Sequence, residues 1–195
     1  MNPNDITNLI RNRRSTYPKN YSGKKVDKKI IEEMLENANW APTHKLTEPW
    51  RFVVFEGEGL KKLADFQADR YKQRWEGSEF NQVKYEKLLG QPLKCSHIIA
   101  ITMARDPEQR IPEIEEIASV SCAVQNMWLT AAAHDLGCYW STGGVTYDEE
   151  AKEFFGLGPF DTLMGFFMIG TPDENNDPRE SRRRPISEKV TWVTR

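Results

Sequence analysis

The chain has 195 residues, of which 38% are hydrophobic, 11% aromatic and 29% charged, which is enough for one sizeable core and short for two. Its formal net charge of -2 argues against a general nucleic-acid binder, which needs a basic face. No run approaches the ~18 apolar residues of a membrane helix.

In chain order, Asp5 to Arg13 is expected to be a short helix with Ile6, Leu9 and Ile10 on one side. A second helix begins at Asp27, a good N-cap, and runs through "KKIIEEMLENANW" with Ile30, Ile31, Met34, Leu35 and Ala38 at helical spacing. Arg51 to Phe55 is a β-branched and aromatic run bounded by Pro49 and Gly57, hence a strand. Leu60 to Leu89 is charged and helical, broken near Gly77. "SHIIAITMA" is a second strand, apolar enough to be buried on both faces. A long helix is expected from Pro112, with Glu113, Glu115 and Glu116 favouring its positive end and Gly137 placed to cap it. Small and apolar residues cover most of its circumference, which predicts a central, buried helix. "CYWSTGG" then reads as a strand entering a glycine turn, Asp148 caps a short helix to Phe155, and "TLMGFFMIG" is a third apolar strand.

After Gly170 the chain turns polar and rich in proline, then ends in the strand-like "KVTWV". The polar connector spans roughly 60 Å if extended. A β-run at the end of such an arm needs a sheet edge, on the same subunit or on a second copy. The picture is one α+β domain over 1–195, with 171–195 as a reaching tail.

Four places carry candidate chemistry. "NRRST", Asn12 to Thr16, and "ESRRRP", Glu180 to Pro185, are arginine-rich, and arginine forks match phosphate oxygens bidentately. Each cluster alone is more simply read as solvated charge, with Arg13 and Arg14 favouring a helix C-terminus. "YWSTGGVT", Tyr139 to Thr146, has two glycines after an apolar strand, which let backbone approach a ligand, although taken alone they are better explained by a tight turn. It lacks the G-x-G-x-x-G dinucleotide fingerprint. "NWAPTHKLTEPW", Asn39 to Trp50, is an unusual connector: two prolines, a histidine, a lysine and two tryptophans stand where Gly, Asn and Ser would make a simple turn. His44, His97 and His134 are far apart and no Cys or His pair has ligand spacing, so no metal site is expected. No G-x-S-x-G elbow is present to suggest a hydrolase.

Taken together, "RRST" after the first helix, "APTHKLTEPWRFVVFEGEG", "SCAVQNMWLTAAAHDLGCYW" and "FFMIGTP" resemble the nitroreductase family of FMN-dependent oxidoreductases, closest to its small YdjA-type branch. The resemblance runs from about Leu9 to about Trp192. It implies a mixed sheet flanked by helices and an intertwined homodimer, with FMN at the subunit interface and the tail packed on the partner. Carried over by motif, Arg13, Arg14 and Ser15 would hold the FMN phosphate and ribityl region. Trp40 and His44 would flank the flavin, Trp140, Ser141 and Thr142 would line its ring, and Arg183 would reach the phosphate from the tail. Pro42 and Pro49 would then stiffen the loop against the ring before it binds, lowering the ordering cost.

The activity implied is transfer of two electrons from NADH or NADPH through FMN to a small-molecule acceptor such as a nitroaromatic or quinone, by ping-pong kinetics, with no catalytic side chain required. A flavin carrier or sensor without efficient turnover is the alternative. Many relatives carry a lysine two residues after the serine of the first motif, where this chain has Tyr17, and the YdjA-like arginine after the strand-end tryptophan is Ser141 here. Both departures remove a donor or cation from the flavin's surroundings. Neither a nucleic acid nor a membrane is an expected partner. The start "MNPNDITNLIRNRRST" lacks the apolar stretch of a secretion signal, and Cys95, Cys122 and Cys138 form an odd, widely spaced set that suits reduced thiols, so a cytoplasmic location is expected.

Overall fold

The most apolar strand takes the middle of the sheet and the rest of the chain is arranged around it. The computed structural model describes residues 2–75, 77–174 and 182–194. Strands β1 (Trp50–Glu56), β2 (His97–Met103), β3 (Gly137–Ser141) and β4 (Thr162–Gly170) form one sheet in the order β1-β2-β4-β3. Each neighbouring pair is antiparallel. The parallel element expected of a mixed sheet is a single bridge, Ser15 with Cys138.

Side chains alternate across the sheet, as strand geometry requires. Ile99, Ile101 and Met103 of β2, with Phe167 and Ile169 of β4, face α2 (Lys28–Asn39) and α5 (Glu113–Ala133). Ile98 and Ala100, with Phe166 and Met168, face α3 (Glu58–Arg74) and the turn at Glu149–Phe155. Helices therefore cover both faces. Burying one Ile or Met side chain of this kind stabilises the fold by about 1.5–3 kcal/mol. Polar bonds fix the register of α2 on α5: Asn37 Nδ2 donates to Thr130 Oγ1 at 2.9 Å, and Asn126 Nδ2 to the Asn37 carbonyl at 3.0 Å.

Several local expectations hold in place. Asp27 caps α2 by accepting from Lys29 N, all seven residues of β2 are buried, and the helical stretch near Gly77 is split into α3 and α4 (Gln82–Gly90). Others need correction. Pro112 is the N-cap of α5 and not its first helical residue. Gly137 does not cap that helix; His134 closes it, Asp135 takes the left-handed conformation (φ 54), and Gly137 opens β3. Its lack of a side chain is needed for packing, because a β-carbon there would stand 2.9 Å from Thr16 Cβ. Helix α1 (Pro3–Asn12) buries none of its residues, so Ile6 and Ile10 are left exposed. The stretch capped by Asp148 is a 3-10 helix. "KVTWV" is not a strand here: Lys189 ends a short 3-10 turn, and Trp192 and Val193 are each 85% exposed.

Two features position the ends of the strands that matter below. The segment after α1 is laced to the sheet by Thr16 N to the Cys138 carbonyl, and by Ser22 N to that of Thr171, each 2.9 Å. The β2–β4 ladder slips a register between Ile101 and Thr102, opposite Gly165. Gly165 has φ 115, and a β-carbon there would collide with the Ser141 carbonyl oxygen. Only glycine permits this bulge, which presses β3 onto β4 at its last residue.

Candidate functional site

Helix α1 ends at Asn12, with Arg13 as its C-cap, and the chain then joins Cys138 through Ser15. This turn aims the Arg13 guanidinium inward, where its carbon lies 4.3 Å from the centroid of the Trp128 ring on α5. Its Nη1 is buried and has no hydrogen-bond partner. Burial foremost, then Arg14, then Arg183, hold Arg13 below its ordinary pKa. Leaving a charged donor buried and unpaired costs about 1–3 kcal/mol or more. Arg14 and Arg183 disfavour the charge on Arg13, so an anion beside Arg13 is favoured. Arg14 itself folds back onto the helix end, donating to the carbonyls of Arg11 and Arg13. In the tail, Arg183 Nη1 donates to the Arg182 carbonyl at 3.0 Å. Glu180 and Ser181, within the second arginine cluster, lie outside the described residues.

Beside this corner, Tyr17 packs on Tyr139 of β3 with ring centroids 4.6 Å apart. Tyr17 opens a cavity of about 660 Å³ that runs from Lys19 to Lys87 of helix α4 and to Gln91 and Lys94 just after it. A smaller cavity of about 180 Å³ shares Lys87 and Gln91 and continues to Ser141, Gly143 and Gly144. The glycine turn is thus open toward α4. Trp140 is turned the other way, packed against the α2–α5 side of the core with its Nε1 donating to the Met164 carbonyl at 3.0 Å.

The "APTHKLTEPW" loop lies elsewhere. Trp40 is 78% exposed, its Nε1 donating to Glu36 on its own helix, whereas Trp50 is buried with its Nε1 on Asn39 Oδ1 at 3.0 Å. His44 Nδ1 donates to Glu115 Oε2 at 2.5 Å, in the first turn of α5, and Lys45 Nζ to the Arg110 carbonyl at 3.1 Å. The backbone is strained: Lys45, Leu46 and Glu48 have φ of 51, 54 and 43, in the left-handed region that non-glycine residues seldom occupy. What receives the loop is rigid. The fully buried Glu116 pairs with Arg105, and Asp106 accepts from Arg110 N and Nε at 2.9 Å, which lowers the Asp106 pKa to about 2.

The predicted residues therefore do not form one group. Arg13, Arg14, Ser15 and Arg183 gather near Trp128 and Cys138, whereas His44 stands at the other end of α5 on Glu115. Ser141, at the far end of β3, faces the cavity toward α4, Thr142 after it is exposed, Trp140 packs into the core, and Trp40 closes α2. From Glu115 to Trp128 is roughly 20 Å along that helix. Trp128, Lys87 and Gln91 join the site without having been singled out from sequence. Trp128 sits in the apolar pattern of α5, and α4 mixes Val83, Leu88 and Leu89 with charged residues in a weak pattern that singles out neither Lys87 nor Gln91 beyond its end.

A profile described as the nitroreductase family matches residues 10–171. The chain belongs to that family. YfhC of Bacillus subtilis, a candidate NAD(P)H nitroreductase, is 29% identical over 188 residues, covering 95% of this chain and 93% of that protein. The crystal structure of a nitroreductase-like family protein from Bacillus cereus is 32% identical, covers 97% of this chain and 96% of its own, and superposes with a TM-score of 0.80. The FMN-dependent nitroreductase NfnB of Mycobacterium smegmatis, solved in complex with NADPH, shares the fold at 16% identity, with a TM-score of 0.76 over 97% of this chain and 98% of its own. Both arms of the site fall within the matched residues, except for Arg183. No helix among the described residues is long and apolar enough to cross a membrane.

Proposed function

We propose that this nitroreductase-family protein is an FMN-dependent oxidoreductase that takes two electrons from NADH or NADPH and delivers them, by ping-pong kinetics, to a nitroaromatic, quinone or related acceptor. The observation that carries this reading is the buried Arg13 Nη1 without a partner, set beside Arg14 and Arg183, with two cavities that share Lys87 and Gln91 close by, one lined by Tyr17 and the other by the glycine turn. These residues fit FMN: the arginines match a phosphate, and the cavities match a flat ring.

Bound FMN supplies the redox chemistry. The chain's own part is to bind and orient. Arg13, Arg14 and Arg183 neutralise the phosphate, and Ser15 offers a hydroxyl beside them. Ser141, with the backbone of Gly143 and Gly144, walls the ring. The family's homodimer is part of the proposal, because it would bring a second copy's Trp40 and His44 to complete a site that one chain leaves divided between the two ends of α5. The tail would then pack across the partner subunit.

An anaerobic absorption titration of the FMN-loaded protein tests the reading. Flavin bands should bleach with NADPH or NADH and return on adding a nitroaromatic or quinone. Bands that persist with both nucleotides would sink the oxidoreductase and favour a flavin carrier, for which the missing cation at Tyr17 is the motive. Initial-rate lines that intersect rather than run parallel would remove the ping-pong scheme.

A further inference from the structure

Glu56, His97, Ser96 and Val26 form one hydrogen-bonded chain across three segments of the fold. It starts at the last residue of β1, crosses to the first residue of β2, and ends on the stretch that leads into α2. His97 Nε2 meets Glu56 Oε2 at 3.2 Å, and its Nδ1 meets Ser96 Oγ at 3.0 Å. Ser96 Oγ accepts from Val26 N at 2.8 Å. His97, Ser96 and Val26 are buried, whereas Glu56 is exposed at the edge of the sheet.

One protonation state satisfies every member. A carboxylate only accepts, so the ring hydrogen sits on Nε2 and Nδ1 is left as an acceptor. The Ser96 hydroxyl donates to Nδ1 and keeps a lone pair for Val26. A second proton on the ring reverses the middle bond: Nδ1–H must donate, and the hydroxyl hydrogen loses its acceptor. No other group among the described residues bonds that hydroxyl, and an orphaned buried donor opposes folding. The surroundings point the same way. Burial, the largest influence, holds His97 below its ordinary 6.5; Glu56 on β1 favours the imidazolium, and Lys25 beside Val26 opposes it. From β4, the residue paired with His97 is the apolar Ile169.

Val26 matters because of what precedes it. The stretch from the arginine corner past Tyr17 is tied to the sheet by Thr16 N and Ser22 N, and Val26 N is its final tie before α2. We propose that His97 is a proton-operated latch: neutral, it holds the stretch ending at Val26 onto β2, and in mild acid it lets that stretch loosen. The latch works within one chain and does not depend on the flavin reading above. The unfolded chain takes up this proton more readily than the folded one. The stability it contributes is therefore fully present above pH 6.5 and falls below it, until the folded chain is itself protonated.

Amide hydrogen exchange of the full chain, read at Val26 by NMR between about pH 7.5 and 5 and corrected for the intrinsic rate, tests the latch. Protection at Val26 should fall about tenfold over that range in the wild-type protein and stay level in His97→Gln. Glu56→Gln, at an exposed position, removes the anion that favours the imidazolium, and should move the fall to lower pH by about half a unit or more. At the upper pH the nitrogen shifts of His97 should show a neutral ring with its hydrogen on Nε2. The opposite tautomer overturns the hydrogen-bonded chain as drawn. Protection that ignores pH in the wild-type protein overturns the latch, as does a fall that persists in a folded His97→Gln. Should His97→Gln not fold, Glu56→Gln decides: a fall that does not move removes His97 as its cause.

Discussion

The arginine corner and the aromatic loop pack at opposite ends of the same helix, yet they are built in opposite ways. At the corner, Arg13 lies over Trp128, the backbone is regular, and the cost is electrostatic: a half-buried guanidinium whose Nη1 is buried without a partner. At the loop, Trp40 is exposed, polar groups are paired through His44 and Lys45, and the cost is backbone strain at Lys45, Leu46 and Glu48. The corner gathers cationic side chains around a donor that has no partner. The loop presents a geometry whose polar groups are already paired within the chain. Breaking either end should therefore have a different signature.

The largest effect is expected at the bulge that holds β3 in place beside the corner. Gly165→Ala must abandon φ 115 or displace the Ser141 carbonyl, and should cost about 3 kcal/mol or more, read as a lowered denaturant midpoint. Next is Arg13→Met. Removing one charge-assisted contact should weaken FMN by about 10- to 100-fold. It also removes the unpaired buried charge, so the flavin-free protein should melt at the same temperature or higher. A variant that loses stability and keeps FMN affinity would mean that Arg13 is a structural residue held by Trp128.

How much of this contrast was legible in the sequence depends on which force set each feature. The corner's residues were visible because arginine in "NRRST" is a chemical signal, and β2 was visible because five of its seven residues are apolar, with no period that leaves one face polar. The left-handed run at Lys45, Leu46 and Glu48 was not visible: none is Gly, Asn or Asp, so nothing local announces it, and tertiary bonds to Glu115 and Arg110 impose it. Gly137 misled for the related reason that a glycine after a helix suggests a cap, whereas crowding by Thr16 and Tyr21 decides its identity.

Strong acid should loosen the support of the loop. The Asp106 carboxyl is held down to about 2 by its bonds from Arg110, so the stability it contributes is fully present above its ordinary pKa of 3.8 and is lost as pH falls toward 2. Tryptophan fluorescence followed from pH 5 to about 2 should show an acid step that Asp106→Asn removes. His44→Ala should be milder, because the pair with Glu115 is about half exposed: less than about 1 kcal/mol in stability, with the larger effect on flavin binding at concentrations where the protein self-associates.

The smallest change separates the two costs most directly. Leu46 has φ 54, is 80% exposed, and its side chain packs in neither core cluster. Leu46→Gly relieves left-handed strain worth about 1–2 kcal/mol, against roughly 0.5–1 kcal/mol for the greater freedom of glycine in the unfolded chain. A single chain should therefore gain up to about 1 kcal/mol, read from chemical unfolding at low protein concentration. If the loop's outward geometry serves a second copy, the same substitution removes an apolar side chain from that contact, and sedimentation should show weaker self-association in a more stable chain. A gain in stability with self-association unchanged would place the strained loop outside the interface and leave the division between the two ends of α5 to be bridged in some other way.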